Sequence, residues 1–274
     1  RATALCFDDI ATGYAGYVGE VMGYLSNPNR PIVETSYQAV LFWTYLTEKY
    51  GTEYAGEATE QGMDFMRRFW EDSNSNSGRD GITIINSVLA SLGETDRFRD
   101  IWMNYAVANY AKDFNSAGVY QYDDMAQTGG AYGPMALALD EALSLNEQVL
   151  LTDETVYQWG ANYYEVSPAS DVPFIDIKVT QDTPSDLYYT VLGIKGSNVV
   201  HEYNLEARNL SYPLLNDDYD KVAIIVAGLE NLGNYRVSIN GTQPVLRLMS
   251  PTISNKARVE SQTAPGKFLV QVEV

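Results

Sequence analysis

The sequence is poor in the residues that many hydrolases use for catalysis. Its 274 residues contain one cysteine, Cys6, and one histidine, His201. A single cysteine excludes an internal disulfide, so an extracellular fold would have to be stable without one. Neither a Gly-x-Ser-x-Gly elbow nor a His-Glu-x-x-His helix occurs in the sequence. We therefore interpret His201 as a residue on a sheet surface and Cys6 as a small buried side chain.

Basic residues and long apolar runs are also scarce. The chain has 18 Lys and Arg against 36 Asp and Glu, a formal charge of −18. This charge repels nucleic acids and anionic membranes, so neither is an expected partner. No apolar run is long enough to cross a bilayer, which argues against membrane insertion. The high tyrosine content (21 residues) with few basic residues favours an extracellular or cell-surface protein. The start RATAL, without Met or a signal peptide, suggests a processed piece of a longer chain.

What the sequence does contain, in its first half, is helical periodicity. Residues 34–50 are apolar around most of the helical circumference, which predicts a buried central helix. Glu34, Thr35 and Ser36 are its candidate capping residues, and Gly51 is its expected C-terminal stop. Further helices are predicted at 13–25, 54–70, 82–92 and from Thr95 or Asp96 to about 114. We expect residues 1–116 to form an all-α helical domain.

The second half has the period-two pattern of strands. Residues 175–179, 188–194, 199–205, 222–229, 235–239 and 268–274 predict strands, with turns at 195–198 and at Asn240-Gly241. We expect residues 159–274 to form an antiparallel β-sandwich of the immunoglobulin-like or accessory kind. Residues 117–158 are interpreted as a mixed linker, in which 135–145 fit either a helix or a strand. The predicted fold class is therefore α+β and multidomain: an N-terminal all-α helical bundle followed by an antiparallel β-sandwich.

One loop has the ligand chemistry of a calcium site. Asp72, Asn74, Asn76 and Asp80 occupy alternate positions of DSNSNSGRD, where Gly78 is the one alternate position without an oxygen-bearing side chain. Such oxygen-rich loops wrap Ca²⁺, although Gly78 and Thr83 depart from the EF-hand pattern. The alternative interpretation is a polar connection between two helices, which Asn, Ser and Gly also favour.

The segment SYQAVLFWTYLTEKYG resembles the helix that follows the zinc-binding helices of gluzincin-type metallopeptidases, the thermolysin and aminopeptidase superfamily. The resemblance covers residues 1–166 and implies the C-terminal part of a secreted bacterial member. It would make Tyr37 the tyrosine that stabilises the oxyanion of the tetrahedral intermediate. The zinc histidines would lie before Arg1, and Arg1 itself would replace a glutamate ligand. Because a guanidinium cannot bind zinc, this chain alone is not expected to hold that metal.

Two functions remain in view. The first is a non-catalytic extracellular module on a metallopeptidase-like scaffold, with a structural or protein-interaction role. The second is the C-terminal half of a secreted zinc metallopeptidase whose other half is encoded upstream. Expected partners are other protein subunits or that upstream segment, with glycans as an alternative. We favour the first function for the chain as it stands.

Overall fold

The computed structural model divides the chain into two compact units, Arg1–Gln243 and Pro244–Val274, and every described residue lies in the first. The structure describes residues 3–4, 6, 17–51, 62–76, 78–115, 120–122, 136–146, 148–169, 172, 174–181, 187–205, 211–215, 219–229 and 231–242. Helices come first along these residues and strands follow, so the α+β order expected from the sequence is confirmed.

The helical part contains five α-helices among the described residues. They are α1 (Val18–Leu25), α2 (Val40–Tyr50), α3 (Met63–Ser75), α4 (Gly81–Leu92) and α5 (Phe98–Ala111). Two short 3₁₀ turns, Ile32–Glu34 and Tyr37–Ala39, precede α2. Helices α2 and α5 are buried on nearly all sides: 9 of the 11 residues of α2 and 11 of the 14 residues of α5 are buried.

The residues that the structure describes contain nine strands, which form two sheets. In chain order they are β1 (Glu141–Leu145), β2 (Gln148–Val156), β3 (Ala161–Pro168), β4 (Phe174–Gln181), β5 (Leu187–Lys195), β6 (Asn198–Leu205), β7 (Ser211–Leu215), β8 (Lys221–Gly228) and β9 (Gly233–Thr242). The five-stranded sheet has the order β1-β3-β8-β5-β6 and the four-stranded sheet the order β2-β9-β4-β7. Among these described strands, every pairing is antiparallel except that of β1 with β3.

The five-stranded sheet is the middle of three layers. On β8, Val222, Ile224 and Val226 enter the apolar core shared with the four-stranded sheet. Their neighbours Ala223 and Ile225 enter a second core, shared with the helices. A strand buried on both faces needs a continuous apolar sequence, which β8 has, so the expected buried strand is confirmed.

Two hydrogen bonds hold α5 on the middle sheet. The Trp102 Nε1–H donates to the carbonyl of Gly228 at 3.1 Å, and the Tyr163 hydroxyl donates to the carbonyl of Ala106 at 2.9 Å. Trp102, Ala106 and Tyr163 are each less than 1% exposed. The helices and the five-stranded sheet therefore share one core, distinct from the core between the two sheets. The domain boundaries expected at 116 and 158 stay predictions.

Three other details differ from the sequence expectations. The stretch 117–158, interpreted as a linker, supplies β1 and β2, and its ambiguous part becomes a strand at 141–145. The parallel pairing of β1 with β3 makes the middle sheet mixed. Asn240-Gly241 lies inside β9, where Asn240 is paired with Gln148 on one side and Asp176 on the other, so pairing on both sides prevails over its turn preference.

The helix expected at 34–50 begins only at Val40. Thr35 is extended, with ψ of 149°, and Ser36 has ψ of −105°, so neither continues a helix. None of the three candidate capping residues caps α2 through its side chain. Gly51 ends the helix in an extended conformation, rather than in the left-handed one typical of a glycine stop.

A candidate binding cleft

The described surface contains a cleft of about 620 Å³ between the helices and the turn that joins β2 to β3. Its walls come from the two 3₁₀ turns, the starts of α2, α4 and α5, and that turn. Its apolar lining consists of Ile32, Val33, Ala39, Phe42, Trp43, Ile82, Ile85, Phe98 and Trp159. Its polar lining consists of Thr3, Thr35, Ser36, Asp80, Gly81 and Gln158. Concave, mostly apolar sites with a few polar groups are typical of ligand binding.

The cleft has a rigid floor and a reachable wall. Phe98 and Trp159 meet edge to face with ring centroids 4.8 Å apart, and Phe42 meets Phe98 in the same way at 5.5 Å. These three rings are at most 4% exposed, so they form the floor. Val33 is 49% exposed and Trp43 is partly exposed, so these side chains are available to a partner.

The backbone at the cleft is unusual at Trp159, which has a φ of 53°. This left-handed conformation is rare for a bulky residue and persists only where its surroundings fix it. The surroundings here are hydrogen bonds: Trp159 N–H donates to Gly228 O at 3.1 Å, and Ile32 N–H donates to Trp159 O at 2.9 Å. The fold thus holds a strained aromatic residue at the floor of the cleft.

A glycine makes this arrangement possible. A Cβ on Gly160 would lie 2.2 Å from the carbonyl oxygen of Asn29, so only glycine allows the segment before the first 3₁₀ turn to approach. The side chain of Asn29 secures that segment. Its Nδ2 donates to Thr155 O at 3.0 Å, and its Oδ1 accepts from Tyr157 N–H at 2.9 Å.

Asp80 places a carboxylate at the mouth of the cleft. It is the N-cap of α4 and accepts from the backbone N–H and the hydroxyl of Thr83, both at 2.9 Å. These hydrogen bonds, the backbone one first, hold the pKa of Asp80 below its usual value. The group is therefore a permanent negative charge at neutral pH. Gly93 closes the same helix in the left-handed conformation, and the helix expected at 82–92 is confirmed.

The four residues of the expected calcium loop form hydrogen bonds with different partners or lie in different elements. Asp72 Oδ1 accepts from Asn76 Nδ2 at 2.9 Å and from Arg79 at 3.2 Å, whereas Asn74 lies in the last turns of α3. Asp80 instead caps α4 and accepts hydrogen bonds from Thr83. Among the described contacts, none joins Asp80 to Asp72, and a cation would have to displace the guanidinium from Asp72. Calcium binding by these four residues stays a prediction.

The remaining candidate residues are widely separated along the fold. Tyr37 opens the second 3₁₀ turn next to Ser36 of the cleft and is 39% exposed. His201 lies on β6 opposite Gly193. Cys6 is 1% exposed, and its sulfur lies 3.6 Å from the hydroxyl of Thr47, as expected for a buried thiol.

A second polar cluster is sealed inside the helical layer. The Tyr122 hydroxyl donates to Asn109 Oδ1 at 2.8 Å, and Asn109 is completely buried. Burial raises the pKa of Tyr24, Tyr105 and Tyr122 well above the ordinary value. These phenols therefore remain neutral and act as structural groups.

Sequence reasoning missed the cleft because its residues are far apart along the chain. Trp43 was expected in a buried helix, and Phe98 in the apolar set of α5. Trp159 was expected only to open the first strand of the sandwich. The one local signal was Asp80 before an apolar run, which marks a helix start.

No protein-family model and no curated protein matches this chain. Solved structures that resemble part of it include the pre-peptidase C-terminal domain of collagenase from Bacillus anthracis (14% identity, 38% of this chain, 97% of that chain, TM-score 0.28). Another is the Aeromonas hydrophila periplasmic lysozyme inhibitor PliG (9% identity, 38% of this chain, 98% of that chain, TM-score 0.27). A third is the Ca²⁺-bound MASP-1 CUB2 domain (10% identity, 38% of this chain, 99% of that chain, TM-score 0.27). TM-scores this low do not establish a shared fold.

The described residues contain neither a membrane-spanning helix nor a cluster of metal ligands. Within those ranges, no helix is long and apolar enough to cross a membrane. Within the same ranges, no group of three or more His, Cys, Asp or Glu side chains is placed to hold a metal ion.

Proposed function

We propose that this chain is a non-catalytic module of an extracellular or cell-surface protein, and that it binds another protein in the cleft. The helical bundle and the antiparallel sandwich would be the C-terminal part of a gluzincin-like scaffold. The observation that carries the proposal is the cleft itself, with a rigid aromatic floor and the exposed apolar side chain of Val33 at its wall. Rigid aromatic anchors next to reachable apolar groups are what protein partners use as hot spots.

The test compares the wild-type chain with two variants that place the same charge at different sites. Val33→Asp puts a charge into the cleft wall, and Leu232→Asp puts one on an equally exposed residue (49% for both) in the connection before β9. The three proteins are immobilised and exposed to the secreted and surface proteins of the source organism, and retained proteins are quantified by mass spectrometry. A partner is then purified and titrated against all three.

We expect a partner to bind wild type and Leu232→Asp alike, and to bind Val33→Asp at least tenfold more weakly, because burying an unpaired carboxylate is unfavourable. Equal binding to all three proteins would exclude the cleft as the binding site. Circular dichroism and urea unfolding of each variant separate a lost contact from a lost fold.

The second candidate is the C-terminal half of a zinc metallopeptidase. The observation that favours it is Tyr37, an exposed phenol next to the lining residue Ser36. If the chain is expressed with its upstream coding sequence and that longer protein is a zinc peptidase, Tyr37→Phe should lower kcat by about a hundredfold or more, because it removes an oxyanion donor. An unchanged kcat would exclude the role assigned to Tyr37.

A further inference from the structure

The charges around the cleft indicate which ligands it accepts. Of the described residues that line it, Asp80 alone carries a charge at neutral pH, and this charge is negative. The start of α4 would attract an anion through its free N–H groups, but Asp80 already accepts from Thr83 N–H. The mouth of the cleft is therefore a site of negative potential, within a chain whose formal charge is −18.

Three of the arginines that lie within two residues of a lining residue along the chain each have another partner. Arg79, next to Asp80, donates to the carboxylate of Asp72 at 3.2 Å and to the hydroxyl of Ser87 at 3.2 Å. Arg97 donates to the carbonyls of residues 94–96 before α5. Arg30 donates to the side-chain oxygen of Gln38 at 3.0 Å. None of these three donates to Asp80, so its carboxylate keeps lone pairs for a ligand.

A second feature of the wall also suits a cation. The indole of Trp43 is partly exposed and meets Phe69 edge to face at 4.6 Å, which fixes the orientation of its ring. An indole face attracts a Lys or Arg side chain that lies over it. A basic side chain combines an apolar stem, which suits an apolar wall, with a charged end, which suits a carboxylate.

This inference rests on the proposed function. We infer that the cleft binds a segment of a partner protein in which a Lys or Arg residue is adjacent in sequence to a large apolar residue. The apolar side chain packs on the floor formed by Phe98 and Trp159. The basic side chain lies along Trp43 and donates to Asp80. Anionic ligands such as phosphates, acidic sugars or a free C-terminal carboxylate are disfavoured at the same place.

The test uses three peptides that differ in one side chain: acetyl-Phe-Arg-Leu-Gly-amide and the same peptide with Gln or Glu in place of Arg. Each is titrated into the full chain while the tryptophan fluorescence and the indole N–H NMR signals are followed, since Trp43 and Trp159 line the cleft. We expect the Arg peptide to bind about fivefold more tightly than the Gln peptide, as for a partly exposed ion pair. The Glu peptide should bind most weakly, and the differences should shrink with added salt.

The decisive variant is Asp80→Asn, because asparagine is an equally good N-cap and removes only the charge. It should reduce the affinity for the Arg peptide to that for the Gln peptide. Asp113→Asn is the matched control, because Asp113 is exposed beyond the end of α5 and is not part of the cleft; it should leave all three affinities unchanged. If Asp80→Asn were to unfold the chain, Asp80→Ser would preserve the cap in its place.

The outcomes separate this inference from the proposed function. Equal affinity of the wild type for the Arg and Gln peptides would overturn the preference for a basic segment, while a Val33→Asp effect on a natural partner would still support the cleft. Tightest binding of the Glu peptide, or binding of none of the peptides, would also overturn the inference. Loss of the Arg preference in Asp113→Asn as well as in Asp80→Asn would assign it to the overall charge rather than to the cleft.

Discussion

The close approach at Gly160 allows a prediction whose size follows from the structure. In Gly160→Ala, the new Cβ would lie 2.2 Å from the carbonyl oxygen of Asn29 and 2.7 Å from its carbonyl carbon. Both atoms belong to the backbone, so no side-chain rotation relieves the contact. Segment 28–32 would have to move away from the turn by about 1 Å to reach ordinary contact distance.

Such a movement breaks hydrogen bonds that now join the two segments. Ala161 N–H donates to Pro28 O at 3.0 Å and Ile32 N–H to Trp159 O at 2.9 Å, and both would stretch beyond bonding distance. Overpacking costs about 1–3 kcal/mol, and each of the two lost hydrogen bonds adds about 0.5–1.5 kcal/mol. We expect the free energy of unfolding to fall by about 2–6 kcal/mol.

The assay is urea unfolding, followed by far-UV circular dichroism and by tryptophan fluorescence. Gly19→Ala is the control, because Gly19 lies on the exposed side of α1 with no atom within 4 Å of an added Cβ. It should stabilise the protein by up to about 1 kcal/mol, because alanine favours a helix more than glycine does. A Gly160→Ala protein within about 0.5 kcal/mol of wild type would refute the tight contact described here.

Three further predictions concern the core and the cap. Trp102→Phe removes the donor to Gly228 O and leaves a smaller ring in a buried site, so urea unfolding should show a loss of about 2–3 kcal/mol; no loss would mean that the bond does not join helix to sheet. Tyr122→Phe leaves Asn109 Oδ1 without its hydroxyl donor and should destabilise by about 1–2 kcal/mol in the same assay, whereas a neutral effect would contradict that bond. Because the folded-state pKa of Asp80 is lowered, its stabilisation is complete above its unfolded pKa of about 4 and is lost as the pH falls through the folded value. Asp80→Asn should therefore reduce the decline in the urea midpoint between pH 5 and pH 2, and an unchanged decline would contradict the lowered pKa.

Local signals predicted those elements whose ends are set by neighbouring residues. Helix α4 ends, as predicted, at Gly93, which has the left-handed conformation, whereas its N-cap Asp80 was expected only as a calcium ligand. The hairpin of β5 and β6 was predicted from its turn, where Gly196 has a φ of 58°. The strand pattern of β4 was predicted as well, with Ile175, Ile177 and Val179 buried in alternation.

Elements set by distant contacts were predicted with wrong ends or left open between helix and strand. The late start of α2 follows from a segment that bonds to the β2–β3 turn, through Ile32 and Trp159, which are far apart in sequence. Strand β1 is a strand because it pairs with β3, which no pattern within residues 141–145 specifies. The cleft is an extreme case, since its walls come from residues near positions 35, 80, 98 and 159 and no single stretch carries its signature.

Because β8 is buried on both faces of the middle sheet, the two sheets cannot be separated from the helices without exposing apolar surface. A gene fragment that starts at residue 141 would encode both sheets but would leave Ala223, Ile225 and Tyr163 without the helices that cover them. The exposed face would favour aggregation over a soluble product. We therefore expect a soluble fragment that contains both sheets to need the helices of residues 18–111 as well, and a fusion designed for display or secretion should include them.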